Sequence, residues 1–170
     1  MGLLSTRNTS RSAPHETPSV PDPAPGSDAG SSRVQVAYLI NQYPQASQSF
    51  IRREIAAIER LGLRVTRFTL RRSDNVVDDA DRAEQARTKD VLGAGLLTLV
   101  GSTILAALTH PLRFARALAT ALRAGRRNPR GIAVHLVYLV EACVLARWLA
   151  GSGVRHMHAH FGTNSTMVAM

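Results

Sequence analysis

The sequence holds one cysteine (Cys143) and one lysine (Lys89) in 170 residues. A lone cysteine excludes a disulfide framework and any zinc site built from several thiolates. Aromatic residues make up 5% of the chain, too few to interleave with basic residues as stacking platforms for single-stranded nucleic acid. No G-x-G-x-x-G follows the first apolar run and no G-x-x-x-x-G-K-[ST] occurs anywhere, which removes the dinucleotide fingerprint and the P-loop. Residues 1–33 lack the apolar core of a secretory signal. Acidic residues also thin out: from Val91 onward there is only Glu141.

What is abundant is arginine and small or aliphatic side chains. Twenty arginines and one lysine stand against 12 acids, a net charge of +9 and a pI of about 11.3. Hydrophobic residues make up 45%, enough for a core. The charge is uneven. Eight arginines against Glu141 give +7 from Val91 onward, whereas 13 basic and 11 acidic residues give +2 over the first 90. The basic half is also the more apolar half, a pairing that fits a membrane surface better than a solvated tail.

Residues 1–33 hold five of the eight prolines and seven serines. They cannot bury enough apolar surface to offset ordering entropy and are expected to form a disordered tail. Residues 34–40, Val-Gln-Val-Ala-Tyr-Leu-Ile, read as a buried strand. A polar loop (41–49) leads to a helix capped by Ser47 or Ser49, with the stripe Ile51, Ile55, Ile58 and Leu61 and a stop at Gly62. A second strand spans 64–70, completing a parallel strand–helix–strand unit. The acid-rich 71–90 segment predicts a loop and a short solvated helix. The expected organisation is an incomplete Rossmann-like parallel sheet over 34–170, of α/β class, with a helical, membrane-apposed insertion at about 81–130.

From Val91 to Thr109 there are 19 residues without a charge. As one helix they would reach ~28 Å against a hydrocarbon core of ~30 Å. Three glycines and four Ser/Thr residues bring the insertion free energy near zero. A buried or membrane-apposed helix is the preferred reading and a single span the alternative. His110-Pro111 ends the run. In the next helix (112–124), Arg113, Arg116 and Arg123, with Arg127 just past its end, fall within an arc of about 80°, while Leu112, Ala115, Leu118, Ala119 and Leu122 occupy a separate arc. That is the pattern of a helix lying in an anionic lipid interface; an ordinary surface helix with a solvated arginine face reads the same way. A turn over 125–131 and an apolar helix over 132–150 follow.

The third strand (154–161) carries His156, His158 and His160. Alternate strand residues share a face, so the imidazoles line up. Two of them could ligate zinc, but 154–170 offers no Asp, Glu or Cys as a further ligand. His160, at the carboxyl end of a parallel strand, sits where open α/β sheets bind ligands, with His158 behind it. His156 is expected to be a packing residue. Thr163, Asn164 and Ser165 can cap a further helix, of which only a turn precedes Met170. The expectation is the front part of a larger protein.

Three stretches together resemble glycosyltransferase family 4 of the exopolysaccharide or colanic-acid type: Tyr43-Pro44 with Ser47, Ser49-Phe50-Ile51 and Glu54-Ile55; Gly62 with Val65 and Leu70-Arg71; and His158-Ala159-His160-Phe161. The resemblance covers about 34–170. It implies a GT-B fold of which this chain is part of the N-terminal, acceptor-binding domain. It implies transfer of a sugar from a nucleotide-sugar to a lipid-linked or polysaccharide acceptor, at the cytoplasmic face of the membrane, with no cofactor and no divalent metal. It further implies a catalytic contact from His160 and substrate contacts from Ser47, Gln48, Ser49 and His158. Gln48 departs from the glutamate often found there, so that position can hydrogen-bond but cannot act as a carboxylate base. Because the donor half is absent, the chain alone is expected to be inactive. Three other readings stay open: a nucleic-acid binder carried by the +9 charge, a membrane-anchored protein without enzymatic activity, and a metal hydrolase built on the histidines.

Overall fold

The computed structural model describes residues 34–76, 78–162 and 164–170; the tail expected over 1–33 lies outside them. The first apolar run forms β1 (Gln35–Tyr43). Ala37, Tyr38, Leu39 and Ile40 are all buried, because β1 has a strand on either side and helices on both faces. A strand covered on both faces shows a continuous apolar run instead of alternation.

A short 3₁₀ turn (Ala46–Gln48) feeds α1 (Ser49–Arg60). The expected serine caps are not used. Gln48 occupies the N-cap without a side-chain cap bond; the 3₁₀ turn already engages its N–H, which donates to the Gln45 carbonyl at 2.8 Å. Ile51 and Ile55 are fully buried against Tyr38, Ile40, Tyr43 and Val65, with Ile58 partly so. Leu61 does not complete the stripe: it follows the last helical turn and is 79% exposed. Gly62, at φ 88°, makes the left-handed stop.

Next come β2 (Arg64–Arg72), α2 (Asp79–Arg87), and the three-residue β3 (Thr88–Asp90). α2 is capped by Asp78, whose carboxylate accepts from the Asp81 N–H at 2.6 Å. The helix is solvated over most of its length, as expected, with two exceptions. Asp81 and Glu84 are buried, because both find cations. Arg52 reaches Asp81 at 2.7 Å. Arg67 donates Nε to Glu84 at 2.5 Å and two further N–H groups to Glu59 at 2.9 Å each. Tyr43 also donates to Glu84, at 3.1 Å.

The charge-free segment is not one helix. A 3₁₀ turn (Leu92–Ala94) and Gly95 at φ 87° precede α3 (Leu96–Thr109). Its 14 residues reach only ~21 Å. α4 (Pro111–Arg127) leaves at 120° to α3. α5 (Gly131–Leu149) is long and apolar enough to cross a membrane by length and composition, yet seven of its residues are buried in the protein. Gly125 lets α4 close on α5: a Cβ there would lie 2.6 Å from the Ile132 Cα.

β4 (Val154–Ala159) and the six-residue α6 (Asn164–Ala169) complete the described chain. The sheet is entirely parallel, in the order β3-β2-β1-β4. One face carries α1, with the Arg67–Glu84 bridge beneath α2. The other seats Tyr138, Val144, Leu145 and Val168, from α5 and α6, on Ala37, Leu39, Phe68 and Leu70. This is a Rossmann-like α/β arrangement.

Candidate functional site at the reversal of the sheet

From β1 the chain winds outward through β2 to β3, then returns to place β4 on the other side of β1. Such a reversal opens a crevice at the carboxyl ends of the two strands that flank it, where open parallel sheets bind ligands. Here those strands are β1 and the edge strand β4.

β4 ends one residue before His160, short of the strand expected to 161. The His160 N–H still extends the ladder, donating to the Leu39 carbonyl at 2.9 Å. Phe161, at φ 65°, then turns the chain away. The His160 carbonyl accepts from the Ser165 hydroxyl at 2.5 Å. Strand pairing and turn together fix the His160 backbone.

The His160 side chain is 11% exposed, and its Nε2 lies 3.6 Å from Glu54 Oε2. This nitrogen is buried and has no hydrogen-bond partner among the described residues. Burial, then the neighbouring His158, push its pKa below the ordinary histidine value, and Glu54 only partly opposes them. The imidazole is therefore neutral near pH 7. Tyr38 donates its hydroxyl to Glu54 Oε1 at 2.6 Å. Burial, reinforced by that hydrogen bond and the Glu54 charge, raises the phenol above its usual range. Tyr38 is the register partner of His158 on β1, so cross-strand pairing puts both on one face. Its ring lies 5.0 Å from His158 and 5.2 Å from His160, and the two imidazoles are 4.5 Å apart.

The crevice thus joins His158 and His160 to two residues with no assigned role in the sequence reading, Glu54 and Tyr38. A local signal existed for Glu54. It stands four residues after Phe50 on α1, so both share a helix face, and Phe50 packs 6.3 Å from His160. Ser47 is exposed in the 3₁₀ turn, and Ser49 is half-buried at the start of α1. Gln48 donates to Gln45 Oε1 at 3.2 Å and leaves its own Oε1 buried without a partner. None of these three hydrogen-bonds to a histidine among the described contacts; Phe50 spans the gap. His156, expected to pack, is exposed on edge strand β4.

A second region lies on the helices. Arg113, Arg116, Arg123 and Arg127 are all exposed on α4. The buried stripe is rotated from the expected one. Phe114, Leu118, Leu122 and Gly125 turn inward, while Leu112, Ala115 and Ala119 stay exposed, because α5 approaches along the Gly125 side. Arg113 and Arg116 border an open cavity of about 380 Å³ shared with His135, Tyr138 and Val168. On the far side of α5, an apolar groove of about 450 Å³ runs along Leu96, Leu99, Val100, Ile104, Leu136 and Val137. Leu97 is 91% exposed, and Leu108 and Leu112, flanking the bend, are each 76% exposed. No protein-family model, no curated protein and no solved structure matches this chain.

Proposed function

We propose that this chain is the acceptor-side, Rossmann-like part of a GT-B glycosyltransferase. It would take part in moving a sugar from a nucleotide-sugar to a lipid-linked or polysaccharide acceptor at the cytoplasmic face of an anionic membrane. The observation that carries the reading is His160: its buried Nε2 has no hydrogen-bond partner among the described residues and stands at the carboxyl-end crevice of a parallel sheet. A sugar hydroxyl or diphosphate oxygen in the crevice would satisfy that nitrogen. Gln48, whose buried Oε1 has no partner among the described residues, would accept a hydrogen bond from a substrate hydroxyl on the loop side. Glu54, held by Tyr38, would keep its second oxygen toward the substrate.

The membrane part of the reading rests on adjacency. Exposed Leu97, Leu108 and Leu112 accompany the exposed arginines of α4. Aliphatic side chains beside a cationic row suit the headgroup boundary of an acidic bilayer. α3 alone is shorter than the hydrocarbon core, so a helix pair lying along the surface fits it better than a crossing.

The test is acceptor binding, which does not require a donor-holding half. A polyprenyl-diphosphate-linked sugar in acidic nanodiscs is titrated with the chain and with His160→Ala. We expect at least tenfold weaker binding by the variant, with binding to sugar-free nanodiscs unchanged. Equal binding to the sugar-bearing discs would remove His160 from the site and the reading with it.

A further inference from the structure

We propose that Glu54, His158 and His160 form a binding site for one divalent transition-metal ion of the zinc class, with a coordination position left open. The inference does not depend on the glycosyltransferase reading and departs from it, since the resemblance implies no metal. Residues 154–170 supply three histidines and no Asp, Glu or Cys; packing of α1 against the sheet brings Glu54 to two of them, His158 and His160. One ligand atom from each of the three residues lies within 4.8 Å of the other two. One pair, His160 Nε2 and Glu54 Oε2, is 3.6 Å apart. Tetrahedral zinc with bonds of ~2.0–2.2 Å holds its ligand atoms ~3.4 Å from one another. That pair therefore already has nearly the required separation, and the exposed His158 needs only a side-chain adjustment.

Three further features fit an ion. His160 Nε2 is buried and unpartnered, and a metal bond would satisfy it. Tyr38 grips Glu54 Oε1 at 2.6 Å, the outer-shell hydrogen bond that orients a ligating carboxylate. The donor set of two imidazoles and one carboxylate suits zinc, copper or nickel and not calcium or magnesium, which take oxygen ligands. Three protein ligands with one side open is the pattern of a site that keeps a water or an exchangeable ligand. An ion here would occupy the His160 nitrogen that the proposed acceptor also uses, so the two would compete.

The experiment uses the untagged 170-residue chain, stripped with chelator, re-equilibrated with zinc and freed of excess. We expect about one zinc per chain by elemental analysis. We expect a cobalt-substituted sample to give the intense visible absorption of a four-coordinate site. His158→Ala, at an exposed position, and Glu54→Gln should each weaken zinc binding at least tenfold, and Tyr38→Phe should weaken it by a smaller factor. His156→Ala should leave it unchanged. Substoichiometric zinc, or retention indifferent to both His158→Ala and Glu54→Gln, would overturn the assignment. Neither result bears on acceptor binding, which is measured without metal.

Discussion

Glu141 gives the sharpest quantitative test of the fold. It is the one acid of the basic half of the sequence, it lies on α5, and it is 1% exposed. Its Oε2 has no hydrogen-bond partner among the described residues. Burial lifts its pKa from 4.5 to about 7, with only the charge of Arg71 pulling the other way. The folded state therefore holds this proton more tightly than the unfolded chain. Its contribution to stability is fully present below pH ~4.5 and is lost as pH rises through about 7. A displacement of 2.5 pH units, the difference between those two values, at ~1.4 kcal/mol per unit amounts to about 3 kcal/mol. Glu141→Gln keeps the shape and removes the titration. The variant should match the parent near pH 4.5 and exceed it by about 3 kcal/mol at pH 8. Urea unfolding followed by circular dichroism at both pH values measures this. With a slope of ~1.5 kcal/mol per M, the midpoints should separate by ~2 M at pH 8. A difference that stays constant with pH, or remains under ~1 kcal/mol at pH 8, would show that Glu141 is hydrated and the reasoning wrong.

Other perturbations probe other parts of the molecule. Arg67→Met strands the buried Glu84 carboxylate, keeping only the Tyr43 hydrogen bond, and should cost ~3–5 kcal/mol in urea melts; Arg67→Met with Glu84→Leu should recover most of that. Gly125→Ala should lose ~1–2 kcal/mol, because its Cβ would meet the Ile132 backbone at 2.6 Å. Gly101→Ala, where nothing lies within 4 Å, should gain up to ~1 kcal/mol from helix propensity; equal effects at the two glycines would refute the close α4–α5 approach. The chain should sediment with acidic liposomes and be released by high salt. Arg116→Glu with Arg123→Glu should weaken that at least tenfold, and equal binding to neutral liposomes would remove the electrostatic part of the reading.

β1 and β2 were readable from their apolar residues, which burial of the strand demands; β4, none of whose residues is buried, showed only the alternation of its histidines. β3 was not, since Thr88-Lys89-Asp90 has no apolar face and is joined to β2 by backbone pairing. α1 could be read from Ile51 and Ile55, but the fate of Leu61 depended on where Gly62 stopped the helix. Arg67, Glu59 and Glu84 look like solvated charges in a linear sequence. Arg67 and Glu84 are buried, with the exposed Glu59 paired to Arg67, because α1 and α2 converge over β2, a relation no local pattern encodes. The same holds at the site. The histidine row was visible by its period of two, whereas Glu54 reaches it only because β4 pairs with β1 and α1 packs on that face.

α6 ties the two candidate regions together. Its Ser165 hydroxyl holds the His160 carbonyl at 2.5 Å, and its Asn164 amide donates to Asn41, on β1, at 3.4 Å. Asn164 also accepts from the Tyr138 hydroxyl at 2.7 Å and from Arg130, in the turn between α4 and α5. Val168 packs into the sheet core and, with Met167, borders the cavity edged by Arg113 and Arg116. A displacement of α4 against α5, as on docking to a lipid surface, would therefore press on the element that fixes the His160 backbone. Coupling of this kind needs an element that both regions contact, and α6 meets that condition.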